Sequence, residues 1–222
     1  MTVREKKGAT PEVSEEKTRH KILSAAGEVF AEEGFEGATV RAITERAGVN
    51  VAAVNYHFRD KAELYTLVVL DACSARAAWS DVIAEAPISP EERLRSLIFH
   101  FLQYLLDPDR AAWKRRLMAR EMANPTSALD ELVEKNIRPL RNEFLLPTLR
   151  ELTSDKLNRR QLGLISISVM GQCHYFLQGQ PIIERLNPDF KIDKADIAEI
   201  AEHIFRFSLA GIAELTRTAR RS

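Results

Sequence analysis

Apolar residues recur at three- and four-residue intervals along most of this chain, and no stretch of useful length alternates with period two, so the pattern predicts an all-α protein. Ile22, Leu23, Ala26, Val29 and Phe30 form the stripe of a long amphipathic helix predicted over residues 18–34, ending at Gly34 and Gly37 around Phe35. Two short helices follow, joined by Ala47-Gly48-Val49. In the first, Val40, Ile43 and Ala47 share an apolar face while Arg41, Thr44, Glu45 and Arg46 point elsewhere. Thr39 is placed to cap it, and Gly48 to end it, because glycine enters the left-handed conformation without steric cost. The second, predicted over 51–57, buries Val54 and Phe58 and leaves Ala52, Ala53, Asn55 and Tyr56 facing out.

Beyond this point the helical period continues. Asp60 with Glu63 starts a long helix predicted over 61–86 and stopped by Pro87; Ser89-Pro90-Glu91-Glu92 starts another, carrying Leu94, Leu97, Ile98, Phe101, Leu102 and Leu105. Further helices are predicted over 110–123, 127–152 with Pro139 and Pro147 bending or breaking it, 156–178 and 193–220, with 179–193 as the longest loop. The helix over 156–178 carries two apolar lines, Leu162, Ile165, Val169, Cys173 and Phe176 beside Gly163, Ile167, Met170, Gly171 and His174. An arc that wide must be covered on two sides. The last helix repeats the feature with Ile197, Ile200, Ala201, Ile204, Phe205, Leu209, Ile212 and Leu215.

Composition narrows the class. With 222 residues, 45% hydrophobic and 29% charged, the chain suits a small N-terminal domain and one larger helical domain. The expected organisation is a mobile N-terminal segment over 1–16, a reading domain over 17–64 and a second domain over 65–222. No apolar run approaches the roughly 20 residues that span a membrane and the N-terminus lacks a signal-peptide core, which predicts a cytoplasmic protein without a membrane partner. Cys73 and Cys173 have no metal-ligand spacing and read as reduced core or interface residues; no cofactor or metal is expected.

Two short helices around a glycine turn, the second presenting small and polar residues, are the layout of a helix-turn-helix, so double-stranded DNA is the first partner to consider. Small side chains let a helix sink towards the major-groove floor, where Asn55 and Tyr56 reach bases or phosphates. Thr39, Arg41, Asn50, Val51, Ala53, Asn55, Tyr56, His57 and Lys61 are the expected DNA-facing residues, with Thr39, Tyr56 and Lys61 on phosphates. The zero formal net charge weighs against nucleic acid. Lys17, Arg19, Lys21, Arg41, Arg46, Arg59 and Lys61 nevertheless fall in this region, while Glu28, Glu32 and Glu33 lie further along the first helix, which predicts a dipolar domain. A limited set of phosphate contacts per monomer calls for a dimer.

The run Ile22-Leu23, Ala26, Phe30, Gly34-Phe35, Thr39-Val40, Ile43, Ala47-Gly48-Val49, then Tyr56-His57-Phe58, Lys61 and Leu64, closely resembles the N-terminal domain of the tetracycline-repressor (TetR) family of bacterial transcription factors. Asn55 departs from the Tyr-x-Tyr-Phe pattern of many members, standing where they carry an aromatic residue. The resemblance implies an N-terminal three-helix helix-turn-helix domain followed by a larger helical ligand-binding and dimerisation domain, in a homodimeric regulator, most simply a repressor binding a palindromic operator and released by a small-molecule effector. It also implies that the two last long helices pack against their copies, through Gly163, Ile167, Val169, Met170, Gly171, Ile204, Phe205 and Ile212; the alternative is that both apolar lines are intramolecular core. Residues 118–125 and 171–175 are similar to the C-terminal subtype of the CecR regulators.

An effector pocket is implied in the second domain, with Phe99, Gln103, Trp113, Leu117, Met118, Arg120, Glu121, Gln172, His174 and Tyr175 as candidate lining. Glu121 falls on the face of Trp113 and Leu117, which is unusual for a carboxylate without a partner; Arg120, Gln172, His174 and Tyr175 are candidate partners. Structural pairing accounts for Glu121 as well as a ligand does, and His174 reads equally as a satisfied core histidine. An enzyme is not expected, because no nucleophile elbow, phosphate loop or metal-ligand spacing is present. A constitutive DNA-binding or helical scaffold protein without an effector is the competing reading.

Overall fold

The computed structural model describes residues 11–73, 89–107, 109–188, 192–193 and 195–219, and every regular element among them is helical. The predicted continuation of a helix over 74–86 and the first ten residues lie outside the described residues. Contacts divide the chain into two compact units, Met1–Cys73 with Ala111–Val133, and Ser74–Arg110 with Glu134–Ser222. These do not follow the expected boundary at residue 64: a segment from the middle of the chain packs with the N-terminal helices.

In the first unit, α1 runs Pro11–Gly37, α2 Val40–Ala47, α3 Val51–His57, α4 Lys61–Ala72, α6 Ala112–Ala123 and α7 Ser127–Leu132; α5, Pro90–Leu106, belongs to the second unit. Helix α1 begins earlier than predicted, so residues 11–16, expected within the N-terminal segment, have helical backbone. Pro11 pre-sets the first-turn φ, and Glu15 and Glu16 are good helix formers. At Gly34 (φ 78°) the helix kinks, a conformation that only glycine adopts cheaply. The core takes Ile22, Ala26, Val29 and Phe30 from α1, Ile43 from α2, Val54 from α3, and Leu64, Tyr65, Val68 and Val69 from α4. Trp113 and Leu117 of α6 and Leu132 of α7 complete it. A Cβ on Gly27 would lie 2.5 Å from the Trp113 ring, so the indole seats on a bare stretch of α1.

In the second unit, α5 starts with a Ser89/Glu92 capping box and proline at its first position, as the sequence signals. Two wide turns of π-helical backbone, Val133–Ile137 and Arg141–Leu145, flank the short turn Arg138–Leu140 and precede α8, Leu146–Leu152. Each contains the carbonyl four residues before a proline, 135 before Pro139 and 143 before Pro147. Widening the ladder relieves the ring clash, and the helix bends instead of ending. Helix α9 spans Arg159–Gln178, starting at an Asn158/Gln161 capping box, three residues later than predicted. The expected loop over 179–193 contains a short helix, α10, Gln180–Leu186, with Pro181 in its first turn. Helix α11 spans Asp196–Ala219, and Asp193 accepts the N–H groups of Ala195 and Asp196 at 2.7 and 3.2 Å.

The core of this unit joins Leu94, Leu97, Ile98 and Leu102 of α5 to Leu149 of α8, Leu162, Ile165, Val169 and Cys173 of α9, and Ile197, Ile200, Ile204, Phe205 and Ile212 of α11. Burial pushes the Cys173 thiol up to about 12. The two apolar lines of α9 thus separate. Leu162, Ile165, Val169 and Cys173 face inward, while Ile167 is 70% exposed and Gly171 and His174 lie at the surface.

Candidate nucleic-acid interface

Three consecutive caps build the helix-turn-helix. The Ala42 N–H donates to Thr39 Oγ1 at 3.1 Å, the Ala53 N–H to Asn50 Oδ1 at 2.8 Å, and the Glu63 N–H to Asp60 Oδ1 at 2.8 Å. Between the first two, Gly48 sits in the left-handed region (φ 65°) and lets the Val49 N–H return to the Thr44 carbonyl at 3.1 Å. Backbone N–H bonding to Glu63 holds the Asp60 carboxyl below its usual range.

Helix α3 buries Val54, and Phe58 just beyond its end is also buried, as the sequence predicts. Outward it presents Val51, Ala52, Asn55 and Tyr56, with Tyr56 72% exposed and Ala53 and His57 partly covered. The His57 ring stands edge-on to Tyr56 with centroids 5.1 Å apart, and the Tyr56 hydroxyl lies 3.5 Å from Glu15 Oε1. Glu15 is a neighbour that sequence reasoning missed; it becomes visible only once α1 is known to begin before residue 15.

The basic residues are less available than their number suggests. Arg41 pairs with Glu45 at 2.8 Å, Arg46 with Glu32 at 2.9 Å and Glu28 at 3.7 Å, and Arg59 with Asp60 at 3.2 Å. Arg46 therefore neutralises the acidic stretch of α1. Lys61 turns inward: its ammonium donates to the Phe35 and Ala38 carbonyls at 2.8 and 3.1 Å and lies 4.6 Å from the Phe35 ring centroid. A phosphate would have to share an ammonium already committed to the end of α1, so Lys61 acts in the free protein as a clasp between helices. Thr39 and Asn50 likewise spend a side-chain oxygen on caps.

The ten candidate effector residues divide between the units. Trp113, Leu117, Met118, Arg120 and Glu121 belong to the first; Phe99, Gln103, Gln172, His174 and Tyr175 belong to the second. Trp113, Leu117 and Glu121 are buried in the first unit's core, and Glu121 has partners the sequence did not suggest. The Tyr65 hydroxyl donates to its Oε2 at 2.6 Å, and the Thr126 N–H and hydroxyl donate to its Oε1 at 2.8 and 3.0 Å. Burial and then this carboxylate push the Tyr65 phenol above its ordinary range. Arg120 bonds instead to the Ala31 and Glu32 carbonyls, at 3.0 and 2.7 Å. In the second unit, Gln172 reaches Ser208 at 3.2 Å, His174 Nδ1 lies 3.0 Å from the Met170 carbonyl, and Gln103 and Tyr175 are exposed. Of that set, Phe99 lines an open groove of about 240 Å³ between α5 and α11, beside Arg95, Ser96 and Glu202.

The expected interface residues also divide. Val169, Ile204, Phe205 and Ile212 are core of the chain's own second unit, because they lie on the faces where α9, α11 and α5 pack together. Ile167 and Gly171 are exposed and Gly163 and Met170 are half-buried, with Leu164, Tyr175, Phe207 and Leu215 as further large exposed residues on α9 and α11, of which Leu164 and Phe207 were not singled out from sequence.

Residues 22–68 match the model of the family described as bacterial regulatory proteins, tetR family, and residues 90–212 match that of the HTH-type transcriptional dual regulator CecR, C-terminal domain. The chain is 37% identical over 95 residues to the HTH-type transcriptional repressor AcnR of Corynebacterium diphtheriae, covering 43% of this chain and 44% of that protein, so it aligns with less than half of that relative. It is 27% identical over 186 residues to the HTH-type transcriptional dual regulator CecR of Shigella flexneri, covering 76% and 79%. Among solved structures, FadR of Bacillus subtilis in complex with stearoyl-CoA superposes with a TM-score of 0.62 at 17% identity, covering 86% of this chain and 98% of that one. The relatives are transcriptional regulators and not enzymes.

Proposed function

We propose, for a chain that belongs to the TetR family of bacterial regulatory proteins and carries a C-terminal domain of the CecR type, a homodimeric operator-binding repressor that acts in the cytoplasm and responds to a small-molecule effector. The observation that carries DNA binding is the outward face of α3. Its flanking turns are fixed by caps, it shows Val51, Ala52, Asn55 and Tyr56, and it lacks the Glu and Lys of an ordinary surface helix. Asn55 and Tyr56 are the base readers and Arg41 a phosphate contact. Self-association is supported by the outward apolar residues Leu164, Ile167 and Tyr175 of α9 and Phe207 and Leu215 of α11, all at least half exposed. A two-fold dimer would present two reading helices to a palindromic operator.

The effector rests on family membership and on the acyl-CoA held by one structural neighbour. Burial of Trp113, Leu117 and Glu121 favours the second reading, a constitutive DNA-binding protein. Fluorescence anisotropy against the DNA upstream of its own gene, over a salt series and beside a scrambled duplex, tests DNA binding. The expected result is salt-sensitive binding with a preference of about a thousandfold or more. Equal weak binding to both duplexes would count against it. Melting temperatures that rise with the logarithm of ligand concentration identify an effector, and no such rise across a metabolite set favours the constitutive reading.

A further inference from the structure

We infer that Glu121 is a positioning residue for DNA recognition, its carboxylate holding α4, and through α4 the seat of α3, against the corner between α6 and α7. The inference rests on the reading of α3 as the DNA-contacting helix. Glu121 is fully buried and collects a donor from α4, the Tyr65 hydroxyl, and two from Thr126, the residue that caps α7. The Thr126 hydroxyl oxygen in turn accepts the Ala128 N–H at 3.1 Å, so one carboxylate ties α4 to both helices of the 111–133 segment.

From Tyr65 the contacts continue towards the reading helix. Its ring packs edge-on against Phe30 at 4.8 Å and Phe35 at 5.0 Å between centroids, and Phe35 lies beneath the Lys61 ammonium. Lys61 opens α4 immediately after the Phe58-Arg59-Asp60 turn that ends α3, and its bonds to the Phe35 and Ala38 carbonyls hold the lead-in to α2. Alongside, Arg120 grips the last turns of α1 through two carbonyls and Trp113 occupies the gap at Gly27. A leucine at 121 would fill the same space, yet apolar burial has no direction, whereas a carboxylate with three donors fixes where Tyr65 stands. Register is what a helix-turn-helix needs, because a small displacement of α3 takes its side chains away from the base edges.

The test uses the full chain as wild type, Glu121→Leu, Glu121→Gln and Tyr65→Phe, at a temperature where circular dichroism shows each folded. Hydrogen exchange reports the α4 amides, and anisotropy reports preference for the upstream duplex over the scrambled one. Glu121→Leu and Tyr65→Phe are expected to speed α4 exchange and weaken specific binding, each by about tenfold, with α9 and α11 exchange and the salt slope unchanged. Glu121→Gln keeps an acceptor oxygen for Thr126 and turns its amide N–H towards the Tyr65 hydroxyl oxygen, which can accept it, and should stay within about threefold of wild type. The double variant Tyr65→Phe/Glu121→Leu should lose no more than Glu121→Leu, since both break one interaction. Unaltered α4 exchange, or full duplex preference in folded Glu121→Leu and Tyr65→Phe, overturns the inference. Tyr65→Phe removes a single oxygen and keeps the test open should Glu121→Leu not fold. A wild type without duplex preference instead defeats the DNA-reading assignment, and α4 exchange alone then decides whether Glu121 holds α4.

Discussion

The two units differ in that only the first, among the described residues, buries a charged side chain. In the first, the carboxylate of Glu121 bonds outward to α4 and to the cap of α7, joining separate elements. In the second, Thr148 and Thr153 turn their hydroxyls back onto their own backbone, to the Phe144 and Leu149 carbonyls at 2.8 Å each, and one neutral bond, from half-buried Gln172 to buried Ser208 at 3.2 Å, crosses between α9 and α11. The first unit is therefore registered by directional bonds. The second has a larger apolar core, its cross-helix polar bonds are neutral or partly exposed, and it leaves large apolar side chains on the outward faces of α9 and α11. A buried carboxylate with donors from two elements fixes their register, which apolar burial by itself does not.

The sharpest way to break this contrast is to place a charge on either side of α9. Val169→Glu puts an unpaired carboxylate in the second core and should cost several kcal/mol, removing amide protection from α9 and α11 in hydrogen exchange. Ile167→Glu, two residues away but exposed, should leave that protection intact and shift sedimentation from dimer to monomer; a stable dimer would move the interface off α9. On the first unit, Tyr56→Ala should lower operator affinity by about 1–3 kcal/mol per half-site while changing stability by no more than about 0.5 kcal/mol. Unchanged anisotropy would mean that α3 faces DNA differently. Gly27→Ala drives a methyl into the Trp113 ring and should lower the first unit's stability by about 1–3 kcal/mol, read as a lower denaturation midpoint with α9 exchange unchanged.

The smallest effect is alkaline. Cys173 is raised from 9.0 to about 12 in the folded chain, so the stability it lends is complete below pH 9 and is lost as pH climbs from there towards 12, with a slope no steeper than about 1.4 kcal/mol per pH unit. Tyr65, raised from 10.0, has the same sign but begins to act only above pH 10. Melts of wild type and Cys173→Ala between pH 8 and 10 should therefore diverge in slope, the variant being flatter.

Sequence periodicity was sufficient for the helix-turn-helix because its signals are local: Thr39, Gly48 and Asp60 act within four residues of themselves, as does the Asn50 cap that the structure adds. The α5 start was legible for the same reason. Partners distant in sequence were not. Nothing near Glu121 points to Tyr65, 56 residues earlier. The two apolar lines of α9 were visible, but period alone cannot say which one meets α5. Lys61 shows the same limit, since a lysine at a helix start reads as a phosphate ligand and nothing in the sequence tells that its ammonium also meets the carbonyls of residues 35 and 38.

The place of residues 111–133 in the first unit bears on the order in which the chain leaves the ribosome. When Cys73 has been made, Val68, Val69 and Ala72 still lack Trp113, Leu117 and Leu132, the side chains that complete their core. Residues 74 to 133 must be added first, which at about 5–20 residues per second takes about 3–12 s. Through that interval the apolar face of the nascent N-terminal helices has none of the side chains that cover it in the finished unit.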